Sequence, residues 1–159
     1  MKTPKDFRIV NHSIPRIDGV AKVTGEAMYS GDIFLPGMVY AKVLRSPYAH
    51  AHIQSIDISE ACRRDGVMGV LTGRDLKGID PYYGHAVKDH PILAIDKVRF
   101  AGEPVAAVIA INEGIAHEAL DDILVEYEEL TPVMDIQESL APDSPKIHEK
   151  TYSAGRFRG

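Results

Sequence analysis

The run Pro104-Val-Ala-Ala-Val-Ile-Ala-Ile111 constrains the fold more than any other stretch of the chain. Successive residues of a strand point to opposite faces, and here both sets are apolar, so both faces must be covered. Such a strand belongs in the centre of a sheet with packing on either side. Leu124-Val-Glu-Tyr-Glu128 reads the other way, alternating apolar and acidic residues as a half-exposed strand does. With 159 residues, 45% of them hydrophobic, the chain has the size of one domain and buries about two-thirds of the surface its unfolded form would expose. The core that the central strand demands is therefore attainable without disulfides, for which the single cysteine, Cys62, has no partner.

The remaining elements follow from the punctuation around them. Residues 1–25 are polar and broken by Pro4, Pro15 and Gly19, which predicts an extended arm ending in the turn Arg16-Ile-Asp-Gly-Val. Strands are expected at Met38–Leu44, His52–Ile58 and Gly66–Thr72, with Ser59 capping a brief helix between the last two. Arg74-Asp-Leu-Lys forms a single helical turn, and a long irregular stretch runs from Gly78 to Ala94. A loop of this length inside a compact domain is more often functional than decorative. Lys97-Val-Arg-Phe100 and the central run read as a strand pair joined by Ala101-Gly-Glu. Asn112 caps a helix from Glu113 to about Asp122, with Ile115, Ala116, Ala119, Leu120 and Ile123 on one face. A short helix covers Ile136 to Leu140, and 141–159, rich in Pro and Gly, reads as a linker. Strands that outnumber helices, several without crossover helices between them, define an α+β class, a mixed sheet with few short helices.

Side-chain chemistry excludes more than it supplies. The net charge of −5, from 18 Lys plus Arg against 23 Asp plus Glu, leaves no basic footprint for nucleic acid or an anionic membrane. No stretch approaches the ~20 apolar residues of a membrane span, and the lone cysteine fits a reducing, cytoplasmic setting. His50 and His52 would share a face of one strand, but no carboxylate or third histidine stands at ligand spacing, and His85 and His90 on the long loop are no better placed. Glu126, Glu128 and Glu129, with Asp121 and Asp122, read as solvated surface, and Cys62, beside Arg63 and Arg64, has no histidine base close in sequence. Tyr82-Tyr83-Gly84 differs in kind: two aromatic residues on a long loop line a pocket or interface, or tuck onto their own core. By residue chemistry alone the chain is an α+β domain without a self-contained active site.

As a whole, the chain resembles the N-terminal α/β-hammerhead domain of the molybdopterin-containing subunit of the xanthine dehydrogenase/aldehyde oxidase family. The resemblance is collinear through Arg16–Asp32, Leu35–Asp57, Gly66–Thr72, Val98–Ala110 and Val125–Glu128, and the ordered set is far more specific than any one segment. Asp65, where proline usually precedes Gly-Val, and Thr131, which interrupts a Leu-Pro pair, are departures remote from chemistry. The resemblance implies an α/β-hammerhead over 26–140, preceded by the arm and followed by a linker toward a catalytic region absent from this chain.

The function it implies is hydroxylation of a purine, N-heterocycle or aldehyde with water as oxygen source. Electrons would pass from a molybdenum–molybdopterin centre through [2Fe–2S] clusters to FAD, on a catalytic domain or subunit, an iron–sulfur subunit and an FAD subunit. The family's glutamate base and pterin loops have no counterpart here, so no catalytic, cofactor-binding or metal residue is assigned. One position carries over: the long loop contributes a side chain to the substrate funnel, and Tyr82 or Tyr83 is the nearest candidate. A stand-alone scaffold or binding module, or a remnant of a truncated gene, is the alternative that residue chemistry leaves open.

Overall fold

The computed structural model describes residues 9–10, 12–84 and 87–148. It divides into two units, 1–38 and 39–159. In the first, the end of the expected extended arm is instead helix α1, Gly19–Thr24. Local bonds explain the difference: Asp18 pairs with Lys22 at 2.6 Å one turn on, the Thr24 hydroxyl donates to the Val20 carbonyl, and Gly25 closes the helix in the left-handed region at φ 81°. No described residue of this unit is buried.

The second unit runs β1 (Tyr40–Arg45), β2 (Ala51–Asp57), α2 (Ser59–Arg63), β3 (Val67–Thr72), a 3-10 turn at Gly73–Leu76, β4 (Tyr82–Tyr83), β5 (His90–Pro91), β6 (Lys97–Val98), β7 (Pro104–Ala110), α3 (Glu113–Glu118), β8 (Leu124–Glu129) and α4 (Ile136–Leu140). The α+β class with few short helices holds. The strands form two three-stranded sheets, ordered β1-β7-β3 and β6-β2-β8, and a β4-β5 ribbon. The pairings are antiparallel, with Val108 of β7 opposite Lys42 on one side and Val70 on the other.

As its apolar run demands, β7 is central and walled on both faces. Ala106 and Val108 join Ala61, Val70, Ala119 and Ile123 in one buried cluster. Val105, pointing the other way, joins Ala51, Ile53, Ala94 and Val98 in a second. Ile56 and Val125 pack against both. At the end of β7, the Asn112 side chain accepts the Ile115 N–H at 2.8 Å, capping α3 as expected.

Two local expectations fail. Ser59 lies inside α2 and caps nothing; the Asp57 carboxylate takes its N–H at 2.9 Å instead. The segments 97–100 and 104–111 are not a hairpin, because β6 stops at Val98 and pairs with β2, whereas β7 belongs to the other sheet. Glu103 is responsible for the separation. The residue is 1% exposed, and its side chain folds back to accept the Arg99 N–H. Meanwhile Ser46 clasps the same turn with two backbone bonds, its N–H to the Glu103 carbonyl and its carbonyl to the Gly102 N–H, at 2.9 and 2.8 Å. The chain is thereby passed from one sheet to the other.

This packing has consequences that unfolding measurements can check. A methyl group on buried Gly73 would sit 2.4 Å from the Ala94 carbonyl oxygen, whereas nothing lies within 4 Å at Gly69. Gly73→Ala should therefore cost about 1–3 kcal/mol in urea unfolding, and Gly69→Ala less than about 0.5 kcal/mol. Burial, opposed by Arg99, pushes the Glu103 carboxyl above its ordinary value of 4.5. Between that value and its folded pKa, the folded state binds the proton that the unfolded state has released, so stability falls as pH rises through this window. Glu103→Gln removes this contribution, so as pH rises above 4.5 the urea midpoint of the variant should increase relative to that of the parent.

Candidate functional site

The stretch 78–94, expected to be irregular, contains the β4-β5 ribbon, with Tyr82 opposite Pro91 and Tyr83 opposite His90. Local bonds shape it. The Asp80 carboxylate accepts the Tyr82 N–H at 3.1 Å and pairs with Lys88 at 3.3 Å, and these contacts, the backbone bond foremost, hold its carboxyl below the usual range. The Ile92 N–H closes onto the Pro81 carbonyl at 2.8 Å. At Gly84, φ is 154° and a Cβ would meet the Val87 carbonyl oxygen at 1.8 Å, so only glycine fits this approach. The ribbon is anchored below by Leu93 and Ala94, both buried, and by the Ala94 N–H on the Pro104 carbonyl at 2.7 Å.

Anchored in this way, the ribbon presents aromatic rings. Tyr83, 56% exposed, lies with its ring centroid 5.9 Å from that of His90. His90 in turn meets the ring of Phe100 edge-on at 6.1 Å. Phe100 is 43% exposed and stands in the turn that Glu103 ties. The pattern of the sequence hid it, because Lys97–Phe100 reads as one strand; the strand ends two residues earlier. Tyr82 is half-buried, and as the strand neighbour of Tyr83 it projects to the other face of the ribbon. The structure therefore separates the two tyrosines and groups Tyr83 with His90 and Phe100. This arrangement has apolar ring surface and one titratable imidazole, which suits binding of a flat or apolar molecule rather than acid–base chemistry.

The other candidates are drawn into structural roles. His50 is buried, with Nδ1 2.8 Å from the Thr131 carbonyl oxygen. His52 stands on β2 opposite Lys97 and Glu128, and His85 lies outside the described residues. Glu128 and Glu126 accept hydrogen bonds from Gln54 and Ser55 across the β2-β8 pair, at 2.5 and 2.8 Å. Cys62 is exposed, and the cations beside it are committed elsewhere, Arg63 to Glu60 and Arg64 to Asp122 and Glu118. Among the described residues, no three His, Cys, Asp or Glu side chains gather where they could hold a metal ion. No helix among them is long and apolar enough to cross a membrane.

Comparison with known proteins agrees with this fold. Residues 24–131 match the family model of the aldehyde oxidase and xanthine dehydrogenase a/b hammerhead domain. The chain is 43% identical over 134 residues to a probable xanthine dehydrogenase subunit of Bacillus subtilis (strain 168), covering 84% of this chain and 18% of that one. It is 40% identical to the nicotinate dehydrogenase large molybdopterin subunit of Eubacterium barkeri, covering 92% of this chain and 34% of the relative. The crystal structure of the aldehyde oxidoreductase from Desulfovibrio desulfuricans ATCC 27774 superimposes with a TM-score of 0.76 at 33% identity, over 94% of this chain and 18% of that one. The chain thus spans between about a sixth and a third of the length of these relatives. With a family model covering most of its length and a fold to match, the chain belongs to the aldehyde oxidase and xanthine dehydrogenase family, of which it carries the α/β-hammerhead domain.

Proposed function

We propose that this chain is the hammerhead portion of a molybdenum-dependent hydroxylase assembly that oxidises purines, N-heterocycles or aldehydes with water as oxygen source. Its part is to pack on the catalytic region and to line the substrate funnel with the ribbon that carries Tyr82 and Tyr83. The observation that carries this reading is the exposed aromatic group Tyr83–His90–Phe100, held on an anchored ribbon of a family domain. Tyr83 is the more favoured of the two tyrosines, because its ring stands open beside the other two. The named relatives point to the substrate class: xanthine dehydrogenase, nicotinate dehydrogenase and aldehyde oxidoreductase.

The cofactors of such an assembly would be a molybdenum–molybdopterin centre, [2Fe–2S] clusters and FAD, in a cytoplasmic complex with iron–sulfur and FAD subunits. For the iron–sulfur clusters this chain supplies no ligand set: one cysteine cannot ligate a cluster that takes four. Our reading assigns the cofactors to other parts of the assembly, and to this chain the shaping of access to them.

Purification of the tagged chain under native conditions from its own cells tests the assignment. Molybdenum, iron and flavin should co-purify with it; a metal-free monomer would sink the reading in favour of a stand-alone scaffold. In the assembled enzyme, Tyr83→Ala should change the ratio of kcat/KM values for xanthine, nicotinate and an aromatic aldehyde by about tenfold, and Tyr82→Ala by less. Because Tyr83 is exposed, the melting temperature should stay unchanged. Equal kinetics in all variants would remove the ribbon from the funnel wall.

A further inference from the structure

Of the three rings in the exposed aromatic group, Tyr83 and His90 belong to the ribbon, whereas Phe100 lies outside it. The pairing of β4 with β5 therefore cannot orient Phe100. Its direction is set by the peptide groups on either side. Before it, the Arg99 N–H is held by the Glu103 carboxylate; after it, the Phe100 carbonyl accepts the Glu103 N–H at 3.2 Å. One residue thus grips the backbone at both ends, and the dihedrals of Arg99 and Phe100 lie between the two bonds. With those dihedrals fixed, the bond that carries the Phe100 ring has one direction and its rotamers are few.

Glu103 is itself fixed from outside the turn. Its carbonyl accepts the Ser46 N–H at 2.9 Å, the Gly102 N–H donates to the Ser46 carbonyl at 2.8 Å, and Arg45 donates to the Gly102 carbonyl at 2.8 Å. As a source of stability, however, this carboxylate is a poor choice. Oε1 is buried and receives no hydrogen bond among the described residues. The Arg99 guanidinium stands 3.9 Å from it, with Nη1 donating to the Lys97 carbonyl at 2.9 Å. A buried carboxylate so sparsely paired costs desolvation for little return. What an apolar residue in its place could not reproduce is the acceptor that reaches back to the Arg99 N–H.

Resting on the funnel reading proposed above, we infer that Glu103 is a positioning residue for substrate recognition: its bonds to Arg99 and Phe100 set the Phe100 ring edge-on to His90, and so shape the aromatic face that a flat ring substrate meets beside Tyr83. Buried beneath the turn, Glu103 touches no substrate itself. Contacts between rings depend on their angle and offset, so a turn of Phe100 alters the affinity for a planar substrate without reaching the reacting atoms.

In the full 159-residue chain, proton NMR reads the ring geometry. The Phe100 ring current shifts the carbon-bound protons of the His90 imidazole by an amount that Phe100→Ala defines. Glu103→Leu should remove most of this shift, and Glu103→Gln, whose amide oxygen still accepts the Arg99 N–H, should keep it. In the assembled enzyme, Glu103→Leu should raise KM for xanthine, nicotinate or benzaldehyde about three- to tenfold at unchanged kcat, and Glu103→Gln should return it to the parent value. Added to Phe100→Ala, Glu103→Leu should change KM no further, whereas a residue that only supports the fold adds its effect in either background. Should Glu103→Leu fail to fold, Glu103→Asp, one methylene short of the Arg99 N–H, takes its place.

An unmoved His90 shift in the Leu or Asp variant, or a KM effect that persists undiminished without Phe100, overturns the positioning role. Either result leaves the funnel reading to Tyr83→Ala, which decides it separately. If no molybdenum, iron or flavin co-purifies with the chain, the funnel reading itself fails, and the recognition role falls with it even where the His90 shift behaves as expected.

Discussion

A strand apolar on both faces cannot lie at a surface, and the requirement that β7 be covered twice organises the rest of this domain. Its alternation sends Ala106 and Val108 into one cluster and Val105 into the other, so a single strand is the shared wall of two cores. Half of the first cluster is alanine: Ala61 from α2, Ala119 just past α3 and Ala106 of the strand, beside Val70, Val108 and Ile123. Alanine at such contacts lets backbone approach backbone closely, and short helices can then cover a sheet that has little other protection. Ile56 and Val125 touch both cores, which ties the two sheets into one cooperative unit.

The second constraint is the turn between β6 and β7. A buried carboxylate is an expensive way to hold a turn, since burial works against its ionised form and Arg99 offsets this only in part. What it secures is direction. Glu103 and Ser46 together send the chain out of one sheet and into the other, and the residue displayed at the bend is Phe100, against the ring of His90. The packing of the cores and the exposed aromatic group are thus linked through one side chain.

What the sequence made legible was whatever local patterns decide. The central position of β7 follows from its composition, α3 and its Asn112 cap from helical spacing, and α4 over Ile136–Leu140 from its flanks. What stayed hidden was decided at a distance. The false hairpin between 97–100 and 104–111 looked plausible because adjacent strands usually pair, and nothing local announces that Ser46, more than fifty residues earlier, clasps the turn. Ser59 was passed over as a cap because Asp57 supplies a charged acceptor for its N–H. α1 has no strong local signal, because valine and threonine are poor helix formers, and ion pairing of Lys22 with Asp18 compensates. At the candidate site, the two tyrosines were legible as loop aromatics, but which of them joins His90 depends on the strand pairing.

That pairing has an arithmetic of its own. β4 is two residues long, the shortest strand that can send neighbouring side chains to opposite sides. With His90 fixed across from it, the register of β4 against β5 selects which ring is displayed. Slipping β4 by one residue in that pairing would exchange the displayed side chain for its neighbour, and neither strand contributes a residue to either core cluster. Register in this ribbon is then a means of changing what a ligand meets while the fold beneath it stays the same.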